Sequence, residues 1–198
     1  ATLSNTGALY NDKDVLDANK VTVSGLSLSG ISGSNSSATT DYVLDATSKD
    51  VSAAITRKTV SLSASKTYDG STSLTGAVTL ATGISGEALN YSGAVANDAH
   101  VATTGKYINA ITLADGTGSA SNYQLPSLIN ANAPVTINAA TLTSTLTNTG
   151  VSKVYDGDTS APSGFTPTYS FSGLASGDTT ATLSNTGALY NDKDVLDA

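Results

Sequence analysis

The sequence predicts an all-β protein, a tandem series of immunoglobulin-like antiparallel β-sandwiches of about 90 residues each. Three observations carry this. Apolar and polar residues alternate with a period of two. Turn signals return every ~8–12 residues. The chain also repeats itself.

The alternation is clearest at Val60, Leu62 and Ala64, which are separated by Ser61 and Ser63. Val21 and Val23 flank Thr22, and Val135 and Ile137 flank Thr136. Leu142 and Leu146 sit in a run of Thr and Ser. Successive side chains of a strand point to opposite faces, so this pattern buries one face and wets the other. β-Branched Thr suits a pleated surface and suits a helix poorly. Asp-Gly, Ser-Gly, Asn-Asp and Asn-Thr-Gly supply the turns. Residues 87–99 come closest to a helical stripe, but Asn90, Ser92 and Gly93 interrupt it. A β-grasp-like fold is the runner-up and needs a helix that the pattern does not offer. A β-solenoid comes third, since no short coil repeat is visible.

Residues 1–18 read ATLSNTGALYNDKDVLDA, and residues 181–198 repeat them without a change, at an offset of 180. The chain is therefore expected to be a window cut from a longer tandem array. A weaker repeat lies within the period. Lys66-Thr67-Tyr68-Asp69-Gly70 returns as Lys153-Val154-Tyr155-Asp156-Gly157. Asn11-Asp12…Val15 returns as Asn97-Asp98…Val101, and Lys20-Val21 lines up with Lys106-Tyr107. Asp41-Tyr42 lines up with Asn122-Tyr123, and Ala54-Ile55-Thr56 with Thr136-Ile137-Asn138. The period thus holds two diverged units of about 90 residues, the size of a small domain. Residues 57–140 are expected to be one complete unit. Residues 1–56 are the back of a unit whose front lies upstream, and 141–198 the front of the next. Residues 141–180 followed by 1–56 would make one copy.

Composition narrows the chemistry. The chain of 198 residues carries a formal charge of -7, no Cys, no Met, no Trp and one His. Ser and Thr together number 58. Cys/His metal sites and disulfides are excluded. Nine cations spread along an acidic chain argue against nucleic acid as a partner. The apolar runs are far too short for a membrane span. The residue inventory argues against an enzyme. An Asn/Ser/Thr/Gly-rich surface with few reactive groups fits an exported bacterial protein.

The ordered set Lys-x-Tyr-Asp-Gly (66–70 and 153–157), Asn-Asp…Val, and [Asp/Asn]-Tyr-x-Leu resembles the YDG-type repeat of large secreted bacterial adhesins, the filamentous-haemagglutinin-like proteins and their relatives. The resemblance spans the whole chain in permuted register, with Asp41 where Asn is usual. It implies a cell-surface or secreted stalk or fibre, extracellular and bacterial, active in attachment or biofilm.

Several residues invite sharper readings. Tyr68-Asp69-Gly70 and Tyr155-Asp156-Gly157 read as tight turns: Asp bonds its own backbone, Gly takes positive φ, and Tyr packs beside them. Asp41-Tyr42 and Asn122-Tyr123 resemble the tyrosine corner of immunoglobulin-like sandwiches, whose hydroxyl bonds nearby backbone. Asp12, Asp14 and Asp17, repeated as Asp192, Asp194 and Asp197, are the calcium candidates, because hard cations take carboxylate oxygens. No complete calcium-loop motif accompanies them, and no other cofactor is expected. His100 reads as a turn residue. Glu87 has no fixed carboxylate partner for glycoside hydrolysis. Lys66 or Lys106 with Asn109 or Asn122 holds the atoms for an isopeptide bond.

The expected function is a semi-rigid spacer. Its partners are neighbouring repeats, other copies in a fibre, and a host or matrix surface reached through a part outside this sequence. Short joins at 55–60 and 137–142 leave little freedom between units. The alternative is a weak glycan- or matrix-binding module acting by avidity.

Overall fold

The computed structural model describes residues 1–195. Its strands, in chain order, are β1 (Thr2–Ser4), β2 (Gly7–Tyr10), β3 (Lys20–Ser24), β4 (Ser27–Gly30), β5 (Ser48–Ser52), β6 (Lys58–Thr59) and β7 (Ser61–Thr67). They continue as β8 (Val78–Ala81), β9 (Asn90–Ala96), β10 (Ile108–Ala114), β11 (Tyr123–Gln124), β12 (Val135–Asn138), β13 (Thr143–Leu146) and β14 (Tyr169–Ser172). No α-helix occurs among the described residues. Two 3₁₀ turns, Thr39–Asp41 and Ala120–Asn122, are the only helical elements there. The protein is all-β, and the helix that a β-grasp requires is not among these elements.

The core lies between residues 60 and 137. Val60, Leu62 and Ala64 turn inward along β7, and the intervening serines turn outward. Leu74, Ala94, Ala96, Ile108, Ile111, Tyr123, Ala133, Val135 and Ile137 complete the cluster. Leu74 and Ile108 are fully enclosed. These side chains are mostly small or branched, so the core is thin and sensitive to any lost methylene.

Most ladders are antiparallel, as the alternation predicts. β8 pairs with β7, and β9 with β10 through two irregularities in register. Two ladders are parallel: β12 beside β7, with Val135 facing Ala64 and Asn138 facing Thr67, and β11 beside β6. The antiparallel pattern does not predict these. They arise because the closing strand of the segment returns alongside the opening one and runs in the same direction. The chain therefore comes in at the Lys58–Ser61 end and leaves at the Thr67–Asn138 end, about 20 Å further on at ~3.3 Å per residue.

β9 is held on two edges. One is β10. The other is the segment after the Lys66 turn, where Ser73 bridges Val95, the Leu74 N–H donates to the Ala94 carbonyl (2.9 Å) and the Ala96 N–H to Thr72 (2.8 Å). The two copies of the repeated 18-mer pair differently. In the first, β2 pairs with β3, which pairs in turn with β5. In the second, Leu189 bridges Ser160, and the Tyr190 N–H donates to the Thr159 carbonyl (2.7 Å). Both copies leave the same leucine in water: Leu9 is 77% exposed and Leu189 74%.

Candidate functional site

The Lys-x-Tyr-Asp-Gly motif folds as the same turn twice. Lys66 Nζ donates to Asp69 Oδ1 (2.6 Å) and to the carbonyls of Ser71 and Ser73 (2.8 Å each). Lys153 Nζ donates to Asp156 Oδ1 (2.8 Å), the Asp158 carbonyl (3.0 Å) and Asp158 Oδ1 (3.0 Å). Gly70 and Gly157 follow at φ 82 and 87, the left-handed region that favours glycine. Asp69 Oδ1 also accepts the Ser71 N–H (2.9 Å), and Asp156 Oδ1 the Asp158 N–H (3.2 Å). The Lys66 ammonium and then the Ser71 N–H stabilise the Asp69 carboxylate and pull its pKa down to about 2. Lys153 acts likewise on Asp156 and Asp158. Tyr68 packs against the core, while Tyr155 is exposed. The lysine thus ties the turn to the strand that follows, a role that Tyr-Asp-Gly alone does not announce.

Each Asp/Asn-Tyr pair ends a 3₁₀ turn. The Tyr42 N–H donates to the Thr39 carbonyl and the Tyr123 N–H to the Ala120 carbonyl. Tyr123 is buried, whereas Tyr42 is 55% exposed. The Tyr123 hydroxyl donates to the Glu87 carboxylate, which raises its pKa. A tyrosine corner bonds backbone instead; here Glu87 reaches the hydroxyl first. Glu87 serves this bond.

The acidic turn is built from short-range bonds. Asp12 Oδ1 accepts the Asp14 N–H (2.8 Å), and Asp192 Oδ1 the Asp194 N–H (2.8 Å). Lys13 and Lys193 pair with Asp14 and Asp194. The Asp17 carbonyl accepts from the Asn11 amide (3.0 Å). Asp197 lies outside the described residues. Among the described residues no three carboxylate or imidazole groups converge as a metal site. The corresponding turn of the middle segment has His100, whose N–H donates to Asp98 Oδ1 (2.6 Å). Its exposed ring stacks on Tyr68 at 6.1 Å between centroids. Lys106 is 6% exposed and caps the Val101 and Thr103 carbonyls. Among the described residues no hydrogen bond joins Lys66 or Lys106 to Asn109 or Asn122.

Two joints flank the middle segment, at its opposite ends. At the first, the Asn122 amide donates to Asp14 Oδ1 (2.6 Å), and its oxygen accepts the Val15 N–H (2.8 Å). The Lys13 ammonium and then the Asn122 amide lower the Asp14 pKa. Val15, Ile55 and Ile84 line the same cleft. At the second, Tyr68, Val101 and Ala139 meet Leu142, Leu174 and Asp178. Gly70 comes so close that a Cβ there would stand 3.3 Å from the Ser176 carbonyl. Gly83-Ile84-Ser85-Gly86-Glu87 at the first joint corresponds to Gly173-Leu174-Ala175-Ser176-Gly177-Asp178 at the second. Sequence reasoning paired the turns but missed the joints; the recurring apolar residue between glycines, ahead of an acid, was the available signal.

No protein-family model, curated protein or solved structure matches the chain at a significant level.

Proposed function

We propose that the chain is a section of an extracellular bacterial stalk or fibre, a YDG-type adhesin repeat whose units act as semi-rigid spacers in surface attachment. Its units are immunoglobulin-like sandwiches of about 90 residues. The observation that carries the reading is the parallel pairing of β7 with β12. A unit whose first and last strands run side by side in one direction takes the chain in at one end and releases it at the other. Successive units then extend end to end rather than folding back. Short joins support this, since only residues 53–57 separate β5 from β6 and only 139–142 separate β12 from β13. The Asn122 bonds and the Val15–Ile84 cleft then brace the first join.

The outer segments are two halves of one kind of unit. The Tyr10 hydroxyl reaches the Ala54 carbonyl at 3.5 Å. The same hydroxyl at Tyr190 is buried and unpartnered. A buried, unmatched donor is costly, and the join after β5 that carries Ala54 supplies the acceptor in another copy. Small-angle scattering of chains lengthened by whole 180-residue periods tests the reading. The maximum dimension should rise by a constant increment per period; a compact particle growing as the cube root of mass would overturn it.

A further inference from the structure

We propose that the two joints carry a pairing code that fixes the order of the units. This rests on the stalk reading above. The Asp14 turn is matched to an Asn, and the His100 turn to the Asp41 of the next repeat. At the first joint Asn122 uses both ends of its amide: the NH₂ faces the Asp14 carboxylate and the oxygen takes the Val15 N–H. In the other unit type Asp41 stands in Asn122's place, at the end of the same 3₁₀ turn and ahead of the same Tyr. Its Oδ2 accepts the Ala38 N–H (2.8 Å). A carboxylate offers no donor, so an Asp41 turn set against an Asp14 turn brings two acids together.

His100 resolves this. It stands where Asp14 stands, in the same Asp-capped turn. An imidazole N–H can donate to the Asp41 carboxylate, whose other oxygen position takes the Val101 N–H as Asn122 takes that of Val15. Every donor and acceptor is matched. The neighbouring charges change in step. Lys13 and Lys58 line the first joint, and Ala99 and Ala140 hold the corresponding positions at the second. Asp178 lines the second where Glu87 lines the first. The donor for an acid at the second joint therefore falls to His100. The order Asp-turn to Asn-turn, then His-turn to Asp-turn, alternates without end, while joining two units of the 1–56 type is penalised.

The 198-residue chain tests the code directly, read by hydrogen exchange of the Val15 amide. Asn122→Asp recreates the forbidden joint and should raise Val15 exchange about tenfold. Asp14→His combined with Asn122→Asp transplants the second joint and should restore protection to within about threefold of the parent. The Leu74 amide, bonded to Ala94 in the core, should stay protected in both variants and so report an intact fold. A double variant that exchanges as fast as Asn122→Asp overturns the code alone. An unprotected Val15 amide in the parent chain overturns the braced joint and the code with it.

Discussion

Residues 57–140 and the segments on either side share a repeated sequence pattern but not a packing environment. In the middle, β7, β8, β9, β10 and β12 enclose one another around Leu74 and Ile108. On the N-terminal side, β1 to β5 form ladders in which Leu9 and Val51 stay in water and Val21 and Val23 are only half-buried. On the C-terminal side, β13 and β14 pair antiparallel, and Leu189 is exposed. Identical residues thus form strands in the first copy and a single bridge in the second, and neither copy joins the central core cluster. Local pattern selects the strands, and burial against a second layer stabilises them.

The largest way to alter this contrast is to remove it. A chain lengthened after residue 198 by the sequence of residues 19–56 should enclose Leu189 and give the Tyr190 hydroxyl its acceptor. A second cooperative unfolding transition should then appear in guanidinium titration, worth on the order of 5 kcal/mol for a unit of this size. A single transition unchanged from the parent would show that the halves do not complement each other.

Cavities come next. Ile108→Ala should destabilise the middle segment by about 2–5 kcal/mol. Leu9→Ala, in an exposed strand of the same kind, should stay within about 0.5 kcal/mol. Equal losses at the two sites would erase the distinction between the regions.

Corresponding lysines give a smaller test. Lys106 is buried on the Val101 and Thr103 carbonyls, whereas Lys20 pairs with Asp50 at the surface. Lys106→Ala leaves those carbonyls unmatched and should cost about 1–3 kcal/mol by thermal unfolding. Lys20→Ala should cost clearly less, because exposed pairs contribute little.

The smallest effect is one of acidity. Asp69 has its pKa lowered to about 2 from the ordinary 3.8. A depressed carboxylate favours the fold above its unfolded pKa, and that contribution drains away as pH falls from about 4 toward 2. Asp69→Asn should flatten the acid limb of the stability curve over that window and leave its shape above pH 5 unchanged. An identical acid limb in the variant would contradict the Lys66–Asp69 assignment.

Much of this was legible in the sequence for physical reasons. Val60, Leu62, Ala64, Val135 and Ile137 alternate with polar residues, and all five are buried. Asp69-Gly70 and Asp156-Gly157 demand a turn with positive φ, and both have one. The parallel ladders were not legible, because period two says which face is buried and nothing of which strand lies alongside. The exposure of Tyr42 beside the burial of Tyr123 was also beyond the pattern. Tyr123 sits in the core cluster and Tyr42 outside it. Asp14 read as a calcium candidate because acid clusters suggest cations, while its partner Asn122 lies 108 residues away.

The central claim, a rod of units set end to end, is tested most directly by one distance. The chain has no cysteine, so spin labels can be placed through Asn5→Cys and Asn185→Cys, the same position one period apart. Pulsed dipolar spectroscopy should give a single narrow distribution at a long separation, as a braced, extended period requires. A broad distribution centred at the separation of a flexible coil, or a short distance from a folded-back chain, would contradict it.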